Sequence, residues 1–298
     1  MAHRFIAALA IAIAAVGGVT ACTRTDAWFE YTPTPTSATH SESALADAER
    51  SYMTDARGRL STLQGTTSQF AAAFTAGDDD AARHWYVEAR VLWESVRPVA
   101  RQFPDLLASL GNRRTDLGQQ ELWTGWHRAE LALWPAPGEE PLTDADRQRI
   151  AGELLDYTTL LQERASSPDF SLSTLDMAEG ATEAVGNLAV NHALGLADVY
   201  SSADLWGIQG GVDGAGSVYR ALEPLLQSTD PALATEIEHR LDAVYEQLAR
   251  HGSVANGFTP HRELTAAEVT DLVRSLDALA HALSGMSTAV IASPESSP

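Results

Sequence analysis

Lysine is absent from this chain. All 20 of its basic side chains are arginine, set against 40 aspartates and glutamates, which leaves a formal charge of −20. A surface of that sign repels phosphate backbones and anionic headgroups, so it argues against nucleic acid and anionic lipid as partners. It favours solubility and gathers cations near the protein without marking any one site. Cysteine is nearly absent as well: Cys22 stands alone, so no internal disulfide can form. The apolar run Phe5 to Val16 is too short to serve as a mature transmembrane helix, which takes about 20 residues. No segment keeps the period-two alternation of a half-buried strand, and no short repeat recurs. These absences exclude a β-rich fold and a solenoid.

What remains has a readable order. Arg4, the apolar run and then Val19-Thr20-Ala21-Cys22 form a signal peptide over residues 1–22, with Cys22 at the position of a bacterial lipobox. Lipidation explains a lone thiol there, since each buried acyl methylene contributes about 0.8 kcal/mol of membrane affinity. The plainer alternative is a secretory signal with an unrelated cysteine. The expected location is extracytoplasmic, lipid-anchored to the bacterial cell membrane. Residues 23–41, with Tyr31-Thr32-Pro33-Thr34-Pro35-Thr36-Ser37 at their centre, lack periodicity and read as a disordered tether. The folded body is expected over residues 42–292. With 45% of the 298 residues hydrophobic, it can bury a sizeable core, as one large domain or two small ones.

Within that body the apolar spacing is helical. Leu45, Tyr52, Ala56, Leu60, Leu63, Thr67, Phe70 and Phe74 make one stripe, stopped by Gly77-Asp78-Asp79-Asp80, with Asp80 placed to cap the next helix. That second helix is expected to bury Trp85, Ala89, Leu92, Val96 and Val99, with Glu94 on its flank and Pro98 as a kink. Thr143 to Asp146 and Ser201 to Asp204 have the form of capping boxes, and Thr265 to Glu268 caps the last helix. Ser173 precedes a helix that runs through Leu188 to His192. Gly207, Gly211 and Gly214 share one side of the following helix and invite a close neighbour, while Pro224 and Pro231 interrupt what comes next. About seven or eight helices with short connections predict an all-α fold of two packed helical bundles.

The chemistry concentrates in the stretch Trp123 to Trp134. On a helix, Trp123, His127, Glu130 and Trp134 share one face, so a carboxylate and an imidazole point inward among aromatics. A buried carboxylate needs a proton, an arginine, a hydrogen-bonded partner or a metal ion. Either His127 and Glu130 satisfy each other or an arginine in an ordinary core, or they ligate one ion from positions i and i+3. The Glu-x-x-His pairs of di-iron bundles do this in reverse order. Glu94 is placed to face the same interior. Asp204 reads first as a cap and His192 as a hydrogen-bonded core histidine, with metal ligation as the second possibility for each.

The segment Gly125-Trp126-His127-Arg128-Ala129-Glu130, followed by Leu133-Trp134, resembles the Gly-x-His-x-x-Glu motif of imelysin-like proteins, in particular the EfeO/EfeM iron-uptake lipoproteins. Ala89-Arg90 through Glu94 to Pro98-Val99-Ala100 is similar to the segment preceding it there. Tyr200-Ser201, Asp204-Leu205-Trp206, Gln209 and Val212-Asp213-Gly214-Ala215 resemble the second-half motif. The likeness runs from about residue 42 to 290. It implies two helical bundles with a metal site at His127 and Glu130. It also implies the short form of the family, because no cupredoxin segment precedes the helices and no Cys, His and Met set exists for copper. Family positions that carry acids or a histidine fall here on Leu107, Asn187, Leu196, Ala197 and Ser202, which predicts a reduced ligand set.

Three functions follow as expectations. The first is a lipid-tethered protein that binds iron, ferrous or ferric, with zinc as the alternative ion. Its ligands would be His127, Glu130 and Glu94, with Asp204 and His192 as possible additions, and its partners the membrane and an iron permease or another Efe-system component. The second is a metallopeptidase, weakened because His-x-x-Glu lacks the second histidine of His-Glu-x-x-His. The third is a polysaccharide- or partner-binding lipoprotein, which would need exposed tryptophans among the five between Trp85 and Trp134.

Overall fold

A computed structural model describes residues 40–118 and 122–291. The signal segment, Cys22 and the tether through residue 39 lie outside the described residues.

The long first stripe becomes α1 (Glu42–Thr75), whose N-terminus is closed by Ser41 accepting from the Ala44 amide. Tyr52, Ala56, Leu60, Leu63, Phe70 and Phe74 are its buried face, as the spacing predicts. The second helix, α2 (Asp79–Ser95), is capped by Asp78 rather than Asp80. Its buried face is also rotated from the expected one: Tyr86, Arg90, Trp93 and Glu94 point inward, while Trp85 and Leu92 are only partly covered. A polar face can turn inward only if its charges meet partners there, as they do below.

Then come α3 (Arg97–Ala100), with Pro98 in its first turn, α4 (Pro104–Gly111) and α5 (Trp126–Leu133). The expected capping box at Thr143 starts α6 (Asp144–Ser166), and Ser173, expected only to precede a helix, forms a second box with Asp176 at the start of α7 (Thr174–Asn187). A π-helical turn, Leu188–His192, follows α7. After a loop come α8 (Asp204–Thr229), α9 (Pro231–Ala249) and α10 (Ala266–Ile291). Pro224 lies inside α8 and does not end it. Two two-residue strands, Gly252–Ser253 and Gly257–Phe258, pair between α9 and α10 and are the only strands among the described residues.

The first bundle packs α1 against α2 and α6; the second packs α10 against α7 and α9, with α8 against α9. The seam is α2 on α8, and one apolar core runs continuously across it. Glycine makes this seam possible. A Cβ on Gly210 would stand 2.0 Å from the Val91 carbonyl oxygen, and one on Gly214 would stand 2.4 Å from that of Ser95. Gly207 and Gly211 serve a different neighbour from the backbone expected, taking the side chains of His192 and Leu188.

Substituting Gly210→Ala should therefore cost about 1–3 kcal/mol through overpacking at the seam. Gly58→Ala, in an exposed part of α1 with no atom within 4 Å of the new methyl, should add about 0.5–1 kcal/mol. Urea unfolding of the two variants checks both signs.

Candidate metal centre

Four segments meet behind the seam. Tyr86, Arg90 and Glu94 come from α2, His127 and Glu130 from α5, His192 from the π-helical turn, and Asp198 and Asp204 from the loop into α8. The placement of α5 depends on Gly125, which caps it at φ +83°. A Cβ there would sit 2.4 Å from the Ser109 carbonyl oxygen. The helix therefore begins after Trp123, and the expected four-residue stripe is broken at its first member. Trp123 instead donates from Nε1 to the Asn112 carbonyl at 2.9 Å, flanked by the guanidiniums of Arg114 and Arg128.

His127 and Glu130 do share the inner face of α5 and are buried, with His127 Nδ1 3.2 Å from Glu130 Oε2. The other oxygen, Oε1, accepts from the Tyr200 amide (3.0 Å), the Ser201 amide (2.8 Å) and the Ser201 hydroxyl (2.8 Å). Ser201 to Asp204 is not a capping box, because α8 begins only at Asp204 and the Ser201 hydroxyl, while donating to Glu130, accepts from the Ala203 amide at 3.2 Å. Ala203 takes the N-cap position of α8 with no side-chain bond. Asp204 acts one loop back, accepting from the Ala197 (3.3 Å) and Asp198 (3.1 Å) amides.

Asp198 is the hub. Its Oδ1 accepts from the Tyr86 hydroxyl at 2.9 Å and Arg90 Nε at 3.0 Å, and its Oδ2 from Arg90 Nη2 at 3.4 Å. His127 Nδ1 is 3.9 Å from Oδ1, and His192 Nδ1 is 3.5 Å from Oδ2. Glu94 lies elsewhere than expected. It faces Arg90 Nη2 (3.1 Å), Arg97 Nε (3.7 Å) and His192 Nε2 (3.7 Å), so two arginines neutralise it, and Asp198 takes its place beside His127 and Glu130. Ligand atoms of His127, Glu130 and Asp198 all lie within 4.8 Å of one another, as do those of His192, Asp198 and Asp204.

The charges hold one another in place. Burial raises the carboxyl pKa of Glu94, but Arg97 and Arg90 outweigh it and hold the group well below the usual range. Burial acts the same way on Asp198, and Arg90, His127 and His192 together pull its pKa down. Arg90 in turn is held above its ordinary value by Asp198 and Glu94 despite the burial that opposes its charge. Asp204 goes the other way: burial and the neighbouring charge of Asp198 push it up to about 6. His192 is raised, because Glu94, Asp198 and Asp204 outweigh its burial.

Residues 48–286 match the imelysin family model. The chain belongs to the imelysin family. It is 25% identical over 248 residues to an "Efem/EfeO family lipoprotein" of Staphylococcus haemolyticus, covering 82% of this chain and 84% of that one. It is 30% identical over 236 residues to "Iron uptake system component EfeM" of Pseudomonas syringae, covering 78% of this chain and 79% of the relative. It is also 30% identical over 243 residues to "Iron uptake system component EfeO" of Yersinia pseudotuberculosis. That match takes in 80% of this chain but 63% of the longer relative.

The positions expected to lack the family's acids and histidine fall in more than one place in this imelysin domain. Leu107 and Asn187 line one small cavity of about 30 Å³ together with Arg97, Arg101 and Glu183, the last two paired at 3.0 Å. Ser202 has a positive φ of 61°, and its hydroxyl accepts from Arg262. Leu196 is exposed and Ala197 buried. Asp198, the residue that joins everything, was missed in the sequence. It sits in a loop, where no periodicity speaks, although it stands two residues before the Tyr200-Ser201 pair. Of the five tryptophans, Trp93 and Trp126 are fully buried, while Trp85, Trp123 and Trp134 are partly covered.

Replacing Arg90 with Leu leaves Asp198 and Glu94 buried without their common partner and should cost about 3–5 kcal/mol. The pH dependence has a definite sign. Both carboxyls are lowered in the folded state, so their stabilisation is present above the unfolded value near 4 and is lost as pH falls below it. Asp204, raised to about 6, favours the folded state only at low pH, and that contribution disappears as pH rises through 6. Urea unfolding between pH 7 and 3 should show wild-type stability falling steeply below pH 4, and a shallower fall in Arg90→Leu.

Proposed function

We propose that this protein is an extracytoplasmic lipoprotein of an Efe-type iron-uptake system, tethered through Cys22, and that it holds iron as cargo at His127, Glu130 and Asp198. The observation that carries the reading is the convergence of those three buried side chains. They come from α5 and from the loop of the second bundle, in a chain whose relatives are named as iron-uptake components. One imidazole with carboxylates suits a hard or borderline ion such as iron, and zinc would fit the same set. His127 Nδ1 and Glu130 Oε2 now share a hydrogen bond, and an ion between them would take the place of its proton. Among the described residues no helix is long and apolar enough to cross a membrane. The partner would be an iron permease or another component of the same system.

A metallopeptidase is less well supported. His127-x-x-Glu130 lacks the second histidine of His-Glu-x-x-His, the arrangement in which one helix supplies two metal ligands and a general base together.

The test is anaerobic calorimetry with ferrous iron. His127→Ala combined with Glu130→Gln should lower affinity by more than the roughly 10–100-fold that loss of an outer partner costs. Gln keeps an oxygen for the Tyr200 and Ser201 amides, so the loop stays anchored. Wild-type affinity in that double variant would refute the assignment.

A further inference from the structure

The far side of Asp198 contains buried atoms that no group in the chain satisfies. His192 is 2% exposed and its Nδ1 has no hydrogen-bond partner; Asp204 is 1% exposed and its Oδ2 has none. Orphans of this kind are rare in native cores, and two in one spot call for a common explanation. Asp198 offers a third vacancy. Its Oδ2 accepts only the long hydrogen bond from Arg90, which leaves a lone pair on the oxygen 3.5 Å from His192 Nδ1. Two donors each about 2.1 Å from a tetrahedral ion stand about 3.4 Å apart. Asp204 Oδ1 is 3.9 Å from the same nitrogen.

The backbone is shaped to put the imidazole there. His192 ends a π-helical turn, a rare conformation that recurs at functional sites. Its ring lies where a Cβ on residue 207 would come within 2.5 Å of Nδ1, so only glycine fits opposite it. Charge favours a cation too. Among the described residues, the four carboxyls of Glu94, Glu130, Asp198 and Asp204 are paired with two guanidiniums, those of Arg90 and Arg97, and with the imidazoles of His127 and His192.

We propose that His192 Nδ1, Asp198 Oδ2 and Asp204 form a second position for a divalent transition-metal cation, with the Asp198 carboxylate presenting one oxygen to each of two ions. An imidazole nitrogen with two carboxylates is a donor set for borderline ions of the ferrous or zinc kind. The second position stands on its own unpartnered atoms. Only the sharing of Asp198 between two ions rests on the iron reading above.

Equilibrium dialysis of the full chain against cobalt(II), followed by metal analysis and the visible spectrum of the bound ion, tests this. Wild type should hold two equivalents. His192→Ala and, separately, Asp204→Asn should each hold one. Asn keeps an oxygen for the Ala197 and Asp198 amides, and circular dichroism verifies the fold of each variant. His127→Ala should also hold one, with a spectrum different from that of His192→Ala. One equivalent in wild type, kept in His192→Ala and lost in His127→Ala, overturns the second position and leaves the iron site standing. One equivalent lost in His192→Ala but kept in His127→Ala supports the second position and removes the iron site from His127. No bound cobalt in wild type, as expected if water satisfies these atoms, overturns the proposal.

Discussion

Asp198 lies wholly inside the protein, bound through both oxygens by Arg90 and through one by Tyr86, with a histidine facing each oxygen. An isolated carboxylate at that depth is prohibitive, and so is an isolated guanidinium. Each makes the other tolerable. Their pairing also joins the two bundles, because Arg90 is on α2 and Asp198 belongs to the loop leading into α8. The rotation of α2 that buries Arg90 and Glu94 in place of Trp85 and Leu92 is a consequence of this exchange. So is the need for glycine at 210 and 214, without which α2 and α8 stand too far apart for the pair to meet.

A second linkage runs through Glu130. It holds residues 200 and 201 with three hydrogen bonds from one oxygen while the other faces His127. Whatever changes the charge or direction of this carboxylate therefore acts on the loop that carries Asp198. An ion entering between His127, Glu130 and Asp198 would draw on ligands from both bundles, and its arrival and release would be felt by the loop over it. That coupling suits a protein that holds cargo and passes it on better than one that keeps a permanent cofactor.

Much of this architecture was legible in the sequence, and the exceptions share a cause. Helical spacing gave the buried stripe of α1, and the caps at Thr143 and Thr265 were readable from local chemistry alone. His127 and Glu130 were readable because they sit one turn apart on a helix. Reading failed where tertiary partners override local preference. The start of α5 was misplaced because Gly125 packs against the Ser109 carbonyl, a contact between segments. The face of α2 was only partly legible, because the burial of Arg90 depends on Asp198 and Glu94 as partners. Ser201 looked like the cap of α8, but that helix begins only at Asp204, and the Ser201 hydroxyl donates to Glu130, 71 residues earlier. Asp198 gave no local signal, since its importance comes entirely from what the fold brings to it.

Anomalous diffraction at the iron edge, from crystals grown with ferrous iron under anaerobic conditions, addresses the central claim directly. The account predicts a peak within bonding distance of His127 Nδ1, Glu130 Oε2 and Asp198 Oδ1, with the arginine still on the far side of the aspartate. Iron found only among surface acids, with the hydrogen bond between His127 and Glu130 intact beneath it, would contradict it.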